Sequence, residues 1–240
     1  MIFEDSVIMK MGKPEKEPVR RAGGSYFTSF LNRIGGVLLA PDATFNQIIT
    51  DRIGFWEPLT LIILLVAIEG AVLASLAYRV FSVVANAVSP LTGVVWDPGF
   101  LNVILVIIIS AMIIATLVAW VILAGIAHIS AKYIFRGEGS FVQLMKLYGY
   151  TFVPVSLLIL STVLLGLSWA TWPLTLFLNI VATFWIVLLM AVAVKHNYKI
   201  DTGKAFISSF IGPMTVWLVV VGGMWAWMWL LIRSLTGGAI

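Results

Sequence analysis

The chain reads as an all-α membrane protein: a polytopic bundle of five transmembrane helices with short amphipathic interfacial helices. Three observations predict this class. Of the 240 residues, 61% are hydrophobic and 11% charged, and the mean hydropathy is +1.05, far more apolar than an ordinary soluble domain. Five apolar runs each supply the about 20 helical residues that a bilayer core requires. The lysines and arginines crowd into the polar segments between those runs.

The first 56 residues are the extended charged region and are too short and polar to hold a core of their own. Residues 1–25 mix Lys10, Lys13, Lys16, Arg20 and Arg21 with Glu4, Asp5, Glu15 and Glu17, the composition of a mobile cytoplasmic arm. Residues 26–56 are expected to form interfacial amphipathic helices. In the first, Phe27, Phe30, Leu31, Ile34 and Leu38 recur at three- and four-residue steps with Asn32 and Arg33 opposite. That face either enters the headgroup layer or packs against the spans. The second starts at Pro41, with a Thr44 to Gln47 capping spacing and Phe45, Ile48 and Ile49 on one side.

Residues 57–240 form the predicted five-span domain, with crossings near 58–79, 100–129, 148–168, 173–194 and 206–232. The second exceeds the bilayer thickness, so it tilts or projects. The short link Trp169 to Trp172 makes the third and fourth antiparallel neighbours. Thirteen of the fifteen basic residues lie in the N-terminal region, the 130–147 loop and the 195–204 loop, leaving Arg79 and Arg233 on the other side. The positive-inside rule then puts the N-terminus in the cytoplasm and the C-terminus outside, with the first apolar run too far along the chain for a cleavable signal. Trp96, Trp169, Trp172, Trp225, Trp227 and Trp229 fall at or near the predicted outer ends. The net charge of +4 reflects this topology rather than affinity for nucleic acid.

The polar stretch joining the second and third spans runs from Gly137 to Pro154. Gly137 and Gly139 make a turn, Ser140 and Gln143 have capping-box spacing, and Phe141, Leu144, Met145 and Tyr148 share one face of a helix that could lie along the membrane surface. Gly149 and Pro154 bracket its entry into the bilayer. A sparse internal repeat pairs this hairpin with the next: each has a His (His128, His196), a Gly-containing turn, a Lys and a Pro (Pro154, Pro213).

Few residues could carry chemistry. Glu69 is the one acidic residue near the middle of a span, where a charge costs roughly 3 kcal/mol. It is either a relay or ligand contact, or a protonated or hydrogen-bonded group in the helix contact made by Ala67, Gly70, Ala71, Ala74 and Ser75. Arg79 is about 15 Å further along the helix, too far to pair. His128 and His196 could meet Glu138 or Asp201, but they lack metal-ligand spacing and read as imidazoles bonded to loop carbonyls at helix ends. No Cys is present, which removes disulfides and thiolate sites. No phosphate loop, nucleophile elbow or zinc-protease helix occurs, so neither cofactor nor catalytic residue is expected.

Pro41-Asp42-Ala43-Thr44-Phe45, the Trp56-containing first span, the Gly137-Glu138-Gly139-Ser140-Phe141-x-Gln143 hairpin with Gly149-Tyr150 and Pro154, and the segment from His196 to Lys204-Ala205 together resemble the Yip domain of Ypt/Rab-interacting proteins. The likeness covers roughly residues 40–232 and implies five spans with a cytoplasmic N-terminus. Eukaryotic members are associated with Rab-type GTPases and early secretory membranes through protein and lipid contacts rather than catalysis. The short arm is more similar to the prokaryotic branch, where no Rab partner is expected. The resulting expectation is a non-enzymatic scaffold of the cell membrane whose cytoplasmic face engages anionic headgroups and a protein partner or a second copy. The alternative is a small transporter, or the membrane subunit of a transport complex, with Glu69 in the pathway.

Overall fold

The computed structural model describes residues 26–51, 53–93, 98–215 and 218. The arm expected over 1–25, Trp96, Trp225, Trp227, Trp229 and most of the 206–232 crossing lie outside them. Helices α1 (Tyr26–Leu39) and α2 (Pro41–Asp51) precede α3 (Trp56–Thr92) and α4 (Pro98–Ile129), which runs on as a π-turn over Ser130–Ile134. Then come α5 (Phe141–Tyr150), α6 (Val155–Leu167), a 3₁₀ turn over Trp169–Thr171, α7 (Trp172–Tyr198) and α8 (Thr202–Phe206), which passes into a second π-turn, Ile207–Ile211. Among the described residues, four helical stretches are long and apolar enough to cross a membrane: Trp56–Leu91, Asn102–Ile134, Phe141–Leu167 and Trp169–Tyr198.

α3 has 37 residues and is therefore about 55 Å long, so it continues well past the crossing expected to end at 79. The run from Val80 to Leu91 is apolar enough to keep the helix going. It stops where Gly93 takes a left-handed φ of 67° and bonds back to Ser89 O at 2.9 Å. α6 pairs with both α3 and α7, the latter through the predicted tight link. Polar groups stitch that pair: Asn179 donates to Ser161 Oγ at 2.9 Å and Thr175 to Ser161 O at 3.2 Å. Trp169 and Trp172 are exposed at this end.

The segment expected on the membrane surface behaves differently. α5 packs against α3, α4 and α7, with Leu144, Met145, Leu147, Tyr148 and Tyr150 buried. It can come so close because Gly149 meets Pro58 of α3: a Cβ on Gly149 would stand 2.3 Å from Pro58 Cβ. The chain then breaks over the turn 151–154, ending in Pro154, and restarts as α6. At 13 residues α6 covers only about 20 Å, so the crossing needs α5 as well.

α1 also turns differently about its axis. Arg33 and Val37 are buried, Phe30, Ile34 and Leu38 are half-buried against the core, and Phe27 and Leu31 face outward. The polar Arg33 points inward because it finds a carboxylate there. In α2, Thr44 is not a cap. The helix has already begun at Pro41, and the buried Thr44 hydroxyl donates to Ala40 O at 2.9 Å, beside Gly36.

Candidate functional site: a cross-linked polar end of the bundle

The tie that holds α1 starts with a carboxylate at the mouth of α3. Arg33 Nη2 lies 2.7 Å and Nε 2.8 Å from Glu57 Oε1, and both residues are buried. The Tyr150 hydroxyl of α5 donates to the same Oε1, while the Tyr26 hydroxyl donates to Oε2 at 2.7 Å. Arg33 Nε also reaches Tyr150 Oη at 3.3 Å. Burial opposes the guanidinium charge, but its hydrogen bonds to Tyr150 and Glu57 outweigh that and hold its pKa above the ordinary value. The Glu57 bond, aided by burial, likewise raises that of Tyr26. One charge pair is thus fully bonded and binds three helices: α1, α3 and α5. Lys146 adds a bond of 2.7 Å from its ammonium to Ile53 O, just before α3.

The glycine turn between α4 and α5 is a second lock. A Cβ on Gly139 would sit 2.4 Å from Asn197 O, and one on Gly137 2.6 Å from Tyr198 Cβ. Only glycine lets this loop lie flat on the end of α7. Glu138 N–H donates to Tyr198 O at 3.2 Å, and the Asn197 side chain donates to Ser140 O at 2.9 Å. Ser140 Oγ accepts from Gln143 N at 3.2 Å, so the predicted cap is formed. His128 bonds the Tyr198 hydroxyl and meets the Phe141 ring edge-on, with centroids 5.6 Å apart. The two π-turns touch through Ser130 and Ser208, at 3.1 Å.

The third lock joins α2 to α7. Asp42 Oδ1 lies 2.7 Å from His196 Nε2 and 3.1 Å from Lys195 Nζ. Those bonds, His196 first, keep the aspartate pKa below its usual value. Lys199 pairs with Glu138 at 3.3 Å. Lys204 reaches its own cap residue Asp201 at 3.2 Å. The two histidines thus have separate side-chain partners rather than loop carbonyls, and among the described residues no three metal-ligating side chains gather.

Apart from Tyr26 and Arg33, the residues of these locks lie where a family model matches: the Yip1 domain covers residues 35–225. The chain belongs to the Yip1 family. An uncharacterized protein of Methanocaldococcus jannaschii is 30% identical over 123 residues, covering 49% of this chain and 76% of that one. No solved structure matches.

Within the Yip1 domain, the motif residues act as joints. Gly137, Gly139 and Gly149 permit close approach, Ser140 caps α5, Tyr150 serves Glu57, and Pro154 breaks the helix before α6. The two hairpins of the sparse repeat differ in structure as well as sharing features. Ser140 and Asp201 cap α5 and α8 in the same way, each bonding the N–H three residues on. Pro154 stands in a break, however, whereas Pro213 lies within helix. Glu69 is remote from this end. Thr162 of α6 donates to its Oε1 at 2.9 Å, while Oε2 is buried without a protein partner among the described residues. Its neighbour Gly70 packs on Ile109 of α4, so the small-residue contact exists alongside a half-satisfied carboxyl. Glu57, the acid that organises the polar end, stood out less in the sequence than Glu69 because it sits at a span boundary, where charges are ordinary.

Proposed function

We propose that this Yip1-family protein is a non-enzymatic organiser of the cell membrane, with five crossings, a cytoplasmic N-terminus and an external C-terminus. Its polar end is a platform for anionic headgroups and a protein partner or a second copy. The observation that carries this reading is the meeting of α1 and α2 with the 130–147 and 195–204 segments at one end of the bundle, tied by Arg33–Glu57, Asp42–His196 and Glu138–Lys199. The platform presents apolar Phe27, Leu31, Leu39 and Trp56 together with exposed Lys199 and Lys204. Apolar groups beside exposed lysines, whose surface ion pairs with Glu138 and Asp201 are weak enough to open, suit a surface that dips into the headgroup layer and attracts anionic lipid.

Because the chain has no cysteine, a nitroxide on Leu31→Cys tests this cleanly. In vesicles containing phosphatidylglycerol the label is expected to be relaxed more by oxygen than by a water-soluble nickel chelate, and to sit less deep in phosphatidylcholine alone. A fully water-exposed label in both lipids would defeat the platform reading. The buried, unpaired Oε2 of Glu69 supports a second reading, transport through a path that includes this carboxyl. The same vesicles under a proton gradient separate the two: transport requires a flux that Glu69→Gln abolishes, and the organiser reading expects none.

A further inference from the structure

We propose a specific site for one anionic phospholipid in the leaflet opposite the basic platform, built between α3 and α6. A cavity of about 400 Å³ opens there, lined by Ile68, Ala71, Ser75 and Arg79 on one face of α3 and by Thr162 and Gly166 on α6. Its wall is overwhelmingly apolar, as the tail of a lipid requires, and its size lies in the range of small-ligand sites. From Ile68 to Arg79 the helix rises about 16 Å, half the thickness of a hydrocarbon core of about 30 Å. The slot is therefore one leaflet deep.

The mouth supplies the headgroup contact. Arg79 is exposed, and its Nη1 donates to the neutral carbonyl of Gly166 at 3.3 Å, which aims the guanidinium across the slot. Among the described residues no carboxylate pairs with it, so its charge is uncompensated. It belongs to the end carrying Trp169 and Trp172, away from the platform. A cation at the mouth and an apolar floor at the bilayer midplane match a phosphodiester with one acyl chain. A soluble anion would use the mouth alone, and a zwitterion would bring its own ammonium beside an arginine with no carboxylate near to receive it among the described residues. At the floor, Thr162 turns its hydroxyl away to Glu69 and to Leu158 O, so the slot presents little polarity to a tail.

Native mass spectrometry of the full chain from mild detergent, with phosphatidylglycerol or phosphatidylcholine added, tests the site. The wild type is expected to retain one phosphatidylglycerol roughly fivefold more strongly than Arg79→Gln, the factor one arginine contributes at an anionic surface. Ala71→Trp, which fills the slot and leaves the charge, is expected to lose that lipid altogether. Lys199→Gln, on the platform, keeps it. Equal retention of both lipids by the wild type, or unchanged phosphatidylglycerol occupancy in both slot variants, would overturn the site. So would a dimer that forms without lipid and is lost in Ala71→Trp, because a second copy would then be the occupant. The nitroxide result at Leu31 is independent of this outcome, so platform and slot can fail separately.

Discussion

Replacing Glu57 with Ala is expected to lower the unfolding free energy by about 3–5 kcal/mol, measured by SDS titration of tryptophan fluorescence in mixed micelles. The magnitude follows from what is left behind. Arg33 would remain buried with its charge uncompensated, while Tyr26 and Tyr150 would each lose their acceptor. A buried pair need not be net stabilising against an apolar replacement, because desolvation consumes most of the attraction. The double substitution Arg33→Met with Glu57→Leu is therefore expected to recover most of the loss, whereas Glu57→Gln falls between. A Glu57→Ala protein within about 0.5 kcal/mol of wild type would show that α1 is not held by this tie.

Gly139→Ala is expected to have the second largest effect, about 3 kcal/mol, at the upper end of overpacking costs. The added methyl group would meet Asn197 O at 2.4 Å and Tyr198 Cδ1 at 2.8 Å, and the first of these is backbone. Relief requires lifting the 137–140 loop from α7, which also breaks the Glu138 to Tyr198 and Asn197 to Ser140 bonds. Gly125→Ala is the control. Nothing lies within 4 Å of its added Cβ, and alanine favours the interior of α4 by up to about 1 kcal/mol. Opposite signs at the two positions, seen in melts of the same preparation, support the lock. Equal small effects would remove it.

What could be foreseen from the residues divides along sequence distance. The Ser140 cap, the Pro154 break and the tight Trp169 to Trp172 link depend on neighbours a few positions apart, and all three are found. The apolar faces of α1 and α5 were visible, but not what they face. Arg33 looked solvent-exposed because its partners Glu57 and Tyr150 lie 24 and 117 positions away. α5 looked like a surface helix because its amphipathic pattern is the same whether water or a polar inter-helix layer covers the second face. Deciding between them needed the Gly149 to Pro58 contact, which no periodicity encodes. α3 runs on past the crossing expected to end at 79 because an arginine at the headgroup level does not stop a helix: Arg79 continues in helix and donates to a carbonyl on α6.

Residues 46 and 138 lie on the platform, on α2 and in the glycine turn, whereas residue 170 lies at the far end and residue 239 in the C-terminal tail. Single cysteines placed there, in a chain that has none, can be probed in intact cells with a membrane-impermeant maleimide. Ala170→Cys and Ala239→Cys are expected to label at once, and Asn46→Cys and Glu138→Cys only after the membrane is opened. Labelling of position 46 or 138 in intact cells, or protection of 239 alongside them, would contradict a cytoplasmic platform carried by five crossings.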